Sequence, residues 1–272
     1  MFEEPKELAS IVYSCHFNAS REGEQFIPDH IFSYQASGSI VVNDGQGEHT
    51  FVEGDFRFSK RNHLARFVKI PPPNGEFKTI AIRFDQQTLR EFSDAYGYKA
   101  VKRDNPGGFL TLPKATMYKD FMNSLLPYLI ADQMGDAQLI ALKLKEALLV
   151  LLKVNPELKD VLFDFSEPGK IDLEGFMEKN FYYKVGLNRF AYLTGRSLAT
   201  FKRDFKKIFQ MSPSRWLVKR RLQEAYFQIK EQGKRPSEIY FDLGFEDFSH
   251  FCYAFRLAYG VSPAKIKVVA GL

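Results

Sequence analysis

From Ile11 to Phe84 apolar and polar residues alternate in short runs broken by Gly, Asn, Asp and Pro, the period-two pattern of half-buried strands. Segments 31–34, 39–42, 49–52, 56–58 and 77–84 read as strands; turns fall at 43–47, at 53–55 and across the proline-rich 69–75. From about residue 85 the spacing becomes helical, with helices predicted over 85–96, 117–130 and, after Gly135, 136–154. Met117, Phe121, Leu125 and Tyr128 recur at three and four residues, and the last turns of 136–154 are apolar around most of their circumference. Such a helix is expected to pack on its own β-domain and, paired with its neighbour, on a second subunit. Asn155-Pro156 ends it, a short amphipathic piece follows over 157–163, and the polar 166–170 with its adjacent Pro and Gly reads as a linker.

After the linker one pattern occurs twice. A short helix leads through a glycine (Gly195, then Gly244) to a capping residue (Ser197, then Asp247), and a second helix follows with phenylalanines four apart. These are the parts of a helix-turn-helix. Phe201, Phe205 and Phe209 must face the core, leaving Ala199, Thr200, Lys202, Arg203 and Lys206 outside. In the second unit Phe251 and Phe255 point inward, leaving Phe248, Ser249, His250, Cys252 and Tyr253 for a groove. Arg203 can pair with guanine O6 and N7, Lys206 and Lys207 suit phosphates, Phe248 a thymine methyl, and Ser249 and His250 base edges or phosphate. Between the units, 213–230 reads as one helix with Trp216, Leu217, Leu222, Ala225 and Ile229 apolar. A rod of that length spans about 27 Å, close to the 34 Å or so of one DNA repeat. The expected partner is double-stranded DNA.

Charge supports this. The chain of 272 residues, long enough for two domains, carries +5 overall. From Lys170 onward there are 19 Lys and Arg against 10 Asp and Glu, and before it 19 against 23, so the positive charge travels with the duplicated helices. Cys15 and Cys252 form no framework of disulfides or metal ligands. The start, Met-Phe-Glu-Glu-Pro, lacks the marks of a signal peptide, and no apolar run is long enough for a membrane span, so a cytoplasmic protein without membrane contact is expected. The 27 phenylalanines read as a compositional bias rather than a ligand box. His16, His30, His49 and His63 are scattered and no nucleophile–base motif stands out; neither a metal, a cofactor nor an enzymatic role is expected.

Residues 171–267 resemble the DNA-binding domain of the AraC/XylS family of bacterial transcription regulators. The resemblance rests on Ile239, Gly244-Phe245, Phe251, Phe255 and Tyr259-Gly260-Val-Ser-Pro263. In the first half it rests on Ala191, Ser197, Phe201, Arg203, Phe205-Lys206, Ser212-Pro213, Arg221, Leu222 and Ala225. Departures stand at Tyr240, where the family usually has a small residue, at Cys252, often Ser or Thr, and at Tyr253, often polar or basic. The resemblance implies an α+β protein of two domains. Residues 1–165 would be a cupin-like β-barrel (strands about 11–84) with a helical dimerisation hairpin (helices about 85–165), 166–170 the linker, and 171–272 an all-α domain with two helix-turn-helix units. It also implies a transcription activator that works with RNA polymerase as a homodimer, its N-terminal domain sensing a small effector. Two rival readings stay open: the same regulator controlled by a protein partner, and a cupin enzyme with a DNA anchor.

Overall fold

The computed structural model describes residues 10–19, 25–45, 47–101, 107–130 and 136–266. Readings that fall on residues 1–5, Gln46, Gly135 and 267–272 lie outside the described residues. The chain divides into two compact units, Met1–Ser166 and Glu167–Leu272.

The first unit is β-rich. Its strands are β1 (Ile11–His16), β2 (Phe26–Ile27), β3 (His30–Ser37), β4 (Ser39–Asn43), β5 (Glu48–Val52), β6 (Phe56–Ser59), β7 (His63–Leu64), β8 (Arg66–Ile70), β9 (Phe77–Phe84) and β10 (Phe109–Leu112). They form an antiparallel five-stranded sheet ordered β1-β9-β3-β6-β10, a three-stranded sheet β5-β4-β8 and the pair β2-β7. Register in the larger sheet lines up Ile11, Ile82, Phe32, Phe58 and Leu110, one from each strand. Side chains opposite each other across strands share a face, so this row forms one apolar stripe through the core. A one-residue slip in any strand would turn its contribution outward.

Four helices follow: α1 (Gln86–Tyr96), α2 (Thr116–Ile130), α3 (Ala137–Val154) and α4 (Lys159–Leu162). Asp85 caps α1 by accepting from the Thr88 amide at 2.7 Å, and Asp136 caps α3 through Gln138 and Leu139. Leu144, Ala147, Leu148, Leu151 and Leu152 of α3 join Phe121, Met122 and Leu125 of α2 in the sheet's core. Leu142 and Leu149 of α3 are left exposed. The stretch of about 85–165, where only helices were expected, also contains β10 between the first two of them. This is a correction: Phe-Leu-Thr-Leu carries too few residues to announce a period, and it is held as a strand by antiparallel pairing with distant β6.

Two histidine rings are buried in this unit, and burial outweighs the acids near them, Asp164 for His30 and Asp44 for His63. His30 stacks on Phe58 at 5.3 Å, and its Nδ1 accepts the Arg61 amide. Burial and the nearby Arg61 and Lys60 lower its pKa to about 3; Asp164 opposes weakly. Burial takes His63 to about 4. The Arg61 guanidinium also donates to the carbonyls of Asp164 and Ser166, at 3.2 and 2.8 Å, fixing the end of the unit.

The second unit is helical: α5 (Leu173–Asn180), α6 (Leu187–Leu193), α7 (Leu198–Phe209), α8 (Pro213–Lys230), α9 (Pro236–Ile239) and α10 (Phe248–Tyr259). The N-terminal half of α8 gives Trp216, which meets Phe205 and Phe209 of α7. Its C-terminal half gives Leu222, Ala225 and Ile229 to a cluster with Ile239, Leu243, Phe245, Phe251 and Phe255. One rod thus supplies a wall to each of two small cores.

An unfolded histidine titrates near 6.5. Below that pH the unfolded chain binds protons that His30 and His63 refuse in the fold, so their contribution to stability is full above pH 6.5 and declines as the pH falls towards their folded values. Lowering the pH from 7.5 to 5.5 should cost the first unit about 3 kcal/mol for the two rings together. Urea midpoints read by hydrogen exchange over β3 and β9 check this; equal midpoints at both values would show that the rings charge without unfolding.

Candidate nucleic-acid interface

Each reader is built from a bend that only certain residues permit. In the first, Gly195 has φ +64°, and an added Cβ would lie 2.3 Å from the Gly169 carbonyl carbon. Chain reversal and close backbone approach both require glycine here. The preceding Thr194 is fully buried, its hydroxyl donating to the Phe190 and Ala191 carbonyls. Arg196 then pairs with Asp204 at 3.2 Å and donates to the Thr194 and Ile171 carbonyls, tying α7 and the bend to the chain entering the unit. Ser197 starts α7 by accepting the Thr200 amide.

The second bend runs from Tyr240 to Gly244, which has φ +83°. A Cβ there would meet the Tyr182 carbonyl oxygen at 2.7 Å and the Arg221 guanidinium at 2.8 Å. Arg221 explains the crowding. From α8 its Nε donates to the Phe181 carbonyl, Nη1 to Gly244 and Nη2 to Tyr183, each at 2.8 Å. Burial lowers its pKa to about 10, so it remains a cation at neutral pH. Asp247 then caps α10, accepting the His250 amide at 2.6 Å.

On α7, Ala199, Lys202, Arg203 and Lys206 are exposed together, while Phe201 and Phe205 are fully buried. Thr200 is half-buried, its hydroxyl bonded to that of Ser197, and so is partly spent on the cap. Arg203 leans on Asp204 at 3.5 Å but keeps 65% of its side chain accessible. Phe209, expected inside, is half-buried over Trp216 at 4.6 Å.

On α10, Ser249, His250 and Tyr253 face outward. Phe248 is 40% exposed, and its ring lies 5.4 Å from that of Tyr240 and 6.1 Å from Phe251. Tyr240, in a position where a small side chain was expected, thus braces the start of α10 through Phe248. Cys252 departs from the outward placement expected of it. It is half-buried and packs against the core, because the turn of the helix from Phe251 carries it towards that side. Superposing Phe201 and Phe205 on Phe251 and Phe255 pairs Lys202 with Cys252, Arg203 with Tyr253 and Lys207 with Leu257, so the two readers offer different chemistry.

Arg196 and Arg221 were missed as positioning residues in the sequence reading. For Arg221 a signal exists: it falls between Leu217 and Ala225 in the four-residue series of an inward row, where a charge must have several acceptors. Among the described residues no three His, Cys, Asp or Glu side chains group as metal ligands. Among the described residues no helix is long and apolar enough to cross a membrane.

Residues 190–267 match the family model for a helix-turn-helix domain, and residues 30–161 that for the ExsA N-terminal regulatory domain. The HTH-type transcriptional regulator ExsA of Pseudomonas aeruginosa is 24% identical over 263 residues, covering 94% of this chain and 92% of that protein. The virulence regulon transcriptional activator VirF of Yersinia enterocolitica is 32% identical over 97 residues, 35% of each chain. Among solved structures, an apo form of ToxT from Vibrio cholerae aligns over 95% of this chain and 97% of its own, with 12% identity and a TM-score of 0.47.

Removing the Arg221 side chain strips three carbonyls of their donor, and Arg221→Ala should destabilise the second unit by about 3 kcal/mol. Trp216 is the chain's one tryptophan, so its fluorescence during urea unfolding reports on this unit alone. Arg221→Lys should restore little, since an ammonium lacks the planar fork. An unchanged midpoint in the alanine variant would remove Arg221 from this role.

Proposed function

The chain belongs to the AraC/XylS family of transcription regulators and is a DNA-binding regulator, and from that premise we propose how it reads DNA and what sets its activity. The observation that carries the reading is the pair of capped recognition helices with outward side chains on either end of the single rod α8.

In the first reader Arg203 makes the bidentate contact to guanine; Lys202, Lys206 and Lys207 neutralise phosphates, and Ala199 and Thr200 lie against base edges. In the second, Ser249 and His250 supply hydrogen bonds, and Phe248 and Tyr253 supply apolar contact and stacking. Cys252, from its half-buried place, contributes at the margin. Two readers on a rod of fixed length would enter successive major grooves from one side, and any mismatch with the repeat is taken up by bending the duplex.

Residues 1–165 act as the regulatory domain, a cupin-like β-barrel that senses a small effector, and 171–272 as the DNA-binding domain beyond the 166–170 linker. Support for a sensing interior comes from His30 Nε2, which is buried and has no hydrogen-bond partner among the described residues. Such an atom receives a polar group when one is supplied. Support for a homodimer comes from Leu142 and Leu149, seven residues apart on α3 and exposed. Activation through RNA polymerase, in the cytoplasm, is the role most consistent with relatives named as activators. An effector shifts the output by binding two arrangements of the protein with different affinity.

Selection of duplexes from a random pool by the full-length chain should return a motif with two blocks about one helical turn apart. Arg203→Ala should weaken binding to that motif by about 1–3 kcal/mol and blur one base position. If affinity and preference both stay those of the unaltered chain, Arg203 is not the base reader.

A further inference from the structure

Beside the outer face of α10 a groove of about 700 Å³ opens between that helix and the N-terminal part of α8. Val218, Ala254, Leu257 and Ala258 make it apolar, and Arg215 and Lys219 stand along it from α8. On α10, Ala254 and Leu257 follow His250 and Tyr253 by four residues each. In a helix that spacing means the same side, so the groove continues the second reader's outer face. On α8, Arg215 and Lys219 are likewise four apart. They project well away from Arg221, whose guanidinium is occupied by backbone carbonyls.

Both cations are exposed, and neither has an ion-pair partner among the described residues. Next to them Leu257 is 77% exposed, at the position that pairs with Lys207 of the first reader. One exposed leucine means little. Tyr253 and Leu257, however, lie one turn apart on α10, both large and both exposed, and Leu257 lines the groove with the two uncompensated positive charges. A strip of this kind fits a ligand with anionic groups at a regular interval and a hydrocarbon face between them.

We propose that this groove seats the sugar–phosphate backbone of DNA in the stretch between the two recognition helices, Arg215 and Lys219 meeting phosphates and the Leu257 strip packing on deoxyribose. The proposal rests on the DNA-reading assignment above and extends it to residues outside either recognition helix. Continuity with the outer face of α10 and charge of the right sign favour DNA over an acidic protein helix or a free anionic amphiphile, which would use the same chemistry. The assignment also gives the second reader the phosphate contacts its own helix lacks where Cys252 and Leu257 replace lysines.

The test uses the full-length chain and a duplex selected from a random pool. Affinity is measured between 50 and 200 mM salt for the unaltered protein, for the R215Q/K219Q double variant and for each single variant. Losing two phosphate contacts should reduce the slope of log affinity against log salt by about 1.8, and each single loss by about 0.9. The ratio of cognate to scrambled affinity should not change, because phosphates carry no sequence. Exchanging the two cations, R215K/K219R, should keep the slope. Trp216 fluorescence confirms that each variant is folded, and should the double variant fail to fold, the single variants decide. A slope equal to that of the unaltered chain overturns the proposal. So does an unchanged slope accompanied by loss of transcription with purified polymerase, which would give the groove to a protein partner. An unaltered chain with no preference among duplexes overturns the parent reading, and this one with it.

Discussion

Three backbone carbonyls and one guanidinium that reaches all of them define the second unit. Arg221 joins the segment after α5 to the bend before α10, through the rod that also walls both cores. Desolvating a cation is costly unless its donors are filled, and here the fork is filled by the carbonyls of Phe181, Tyr183 and Gly244. The orientation of α10 is therefore set from α8, not by its own four-residue partner α9, which is too short to orient anything alone. The first reader solves the same problem differently. Arg196 lies within its own bend, and Asp204 on α7 holds it.

The two readers are alike in backbone and unlike in surface. α7 presents Lys202, Arg203, Lys206 and Lys207, whereas the matching positions of α10 are Cys252, Tyr253, Arg256 and Leu257. On the proposed reading, the first helix supplies most of the electrostatic attraction and with it the salt dependence. The second discriminates by shape and by a few hydrogen bonds, and its weaker charge places more of its binding on neighbouring α8.

Legibility in the sequence followed the range of the interactions involved. Caps such as Ser197, Asp247, Asp85 and Asp136 act over three residues, and each was readable as a helix start. Phenylalanines four apart gave the inward faces of α7 and α10. What escaped depends on distant partners. β10 is a strand because β6 lies beside it, and Cys252 is half-buried because of where the core lies. Arg221 stood in an apolar row, but its three acceptors come from two segments far away in the chain, and no spacing rule names them. The buried histidines show the same limit: their scatter argued against a metal site, while their depressed pKa values come from packing alone.

On each side of Ser166-Glu167 the chain is fastened to the unit it belongs to. Up to Ser166 its carbonyls are claimed by Arg61. From Glu167 onward it is claimed by Tyr192, by the bend at Gly195 and by Arg196. The peptide between Ser166 and Glu167 is thus a natural seam. A hybrid regulator spliced there would carry each half away with its own fastenings whole, whereas a junction a few residues to either side would leave one half's clasp with nothing to close upon.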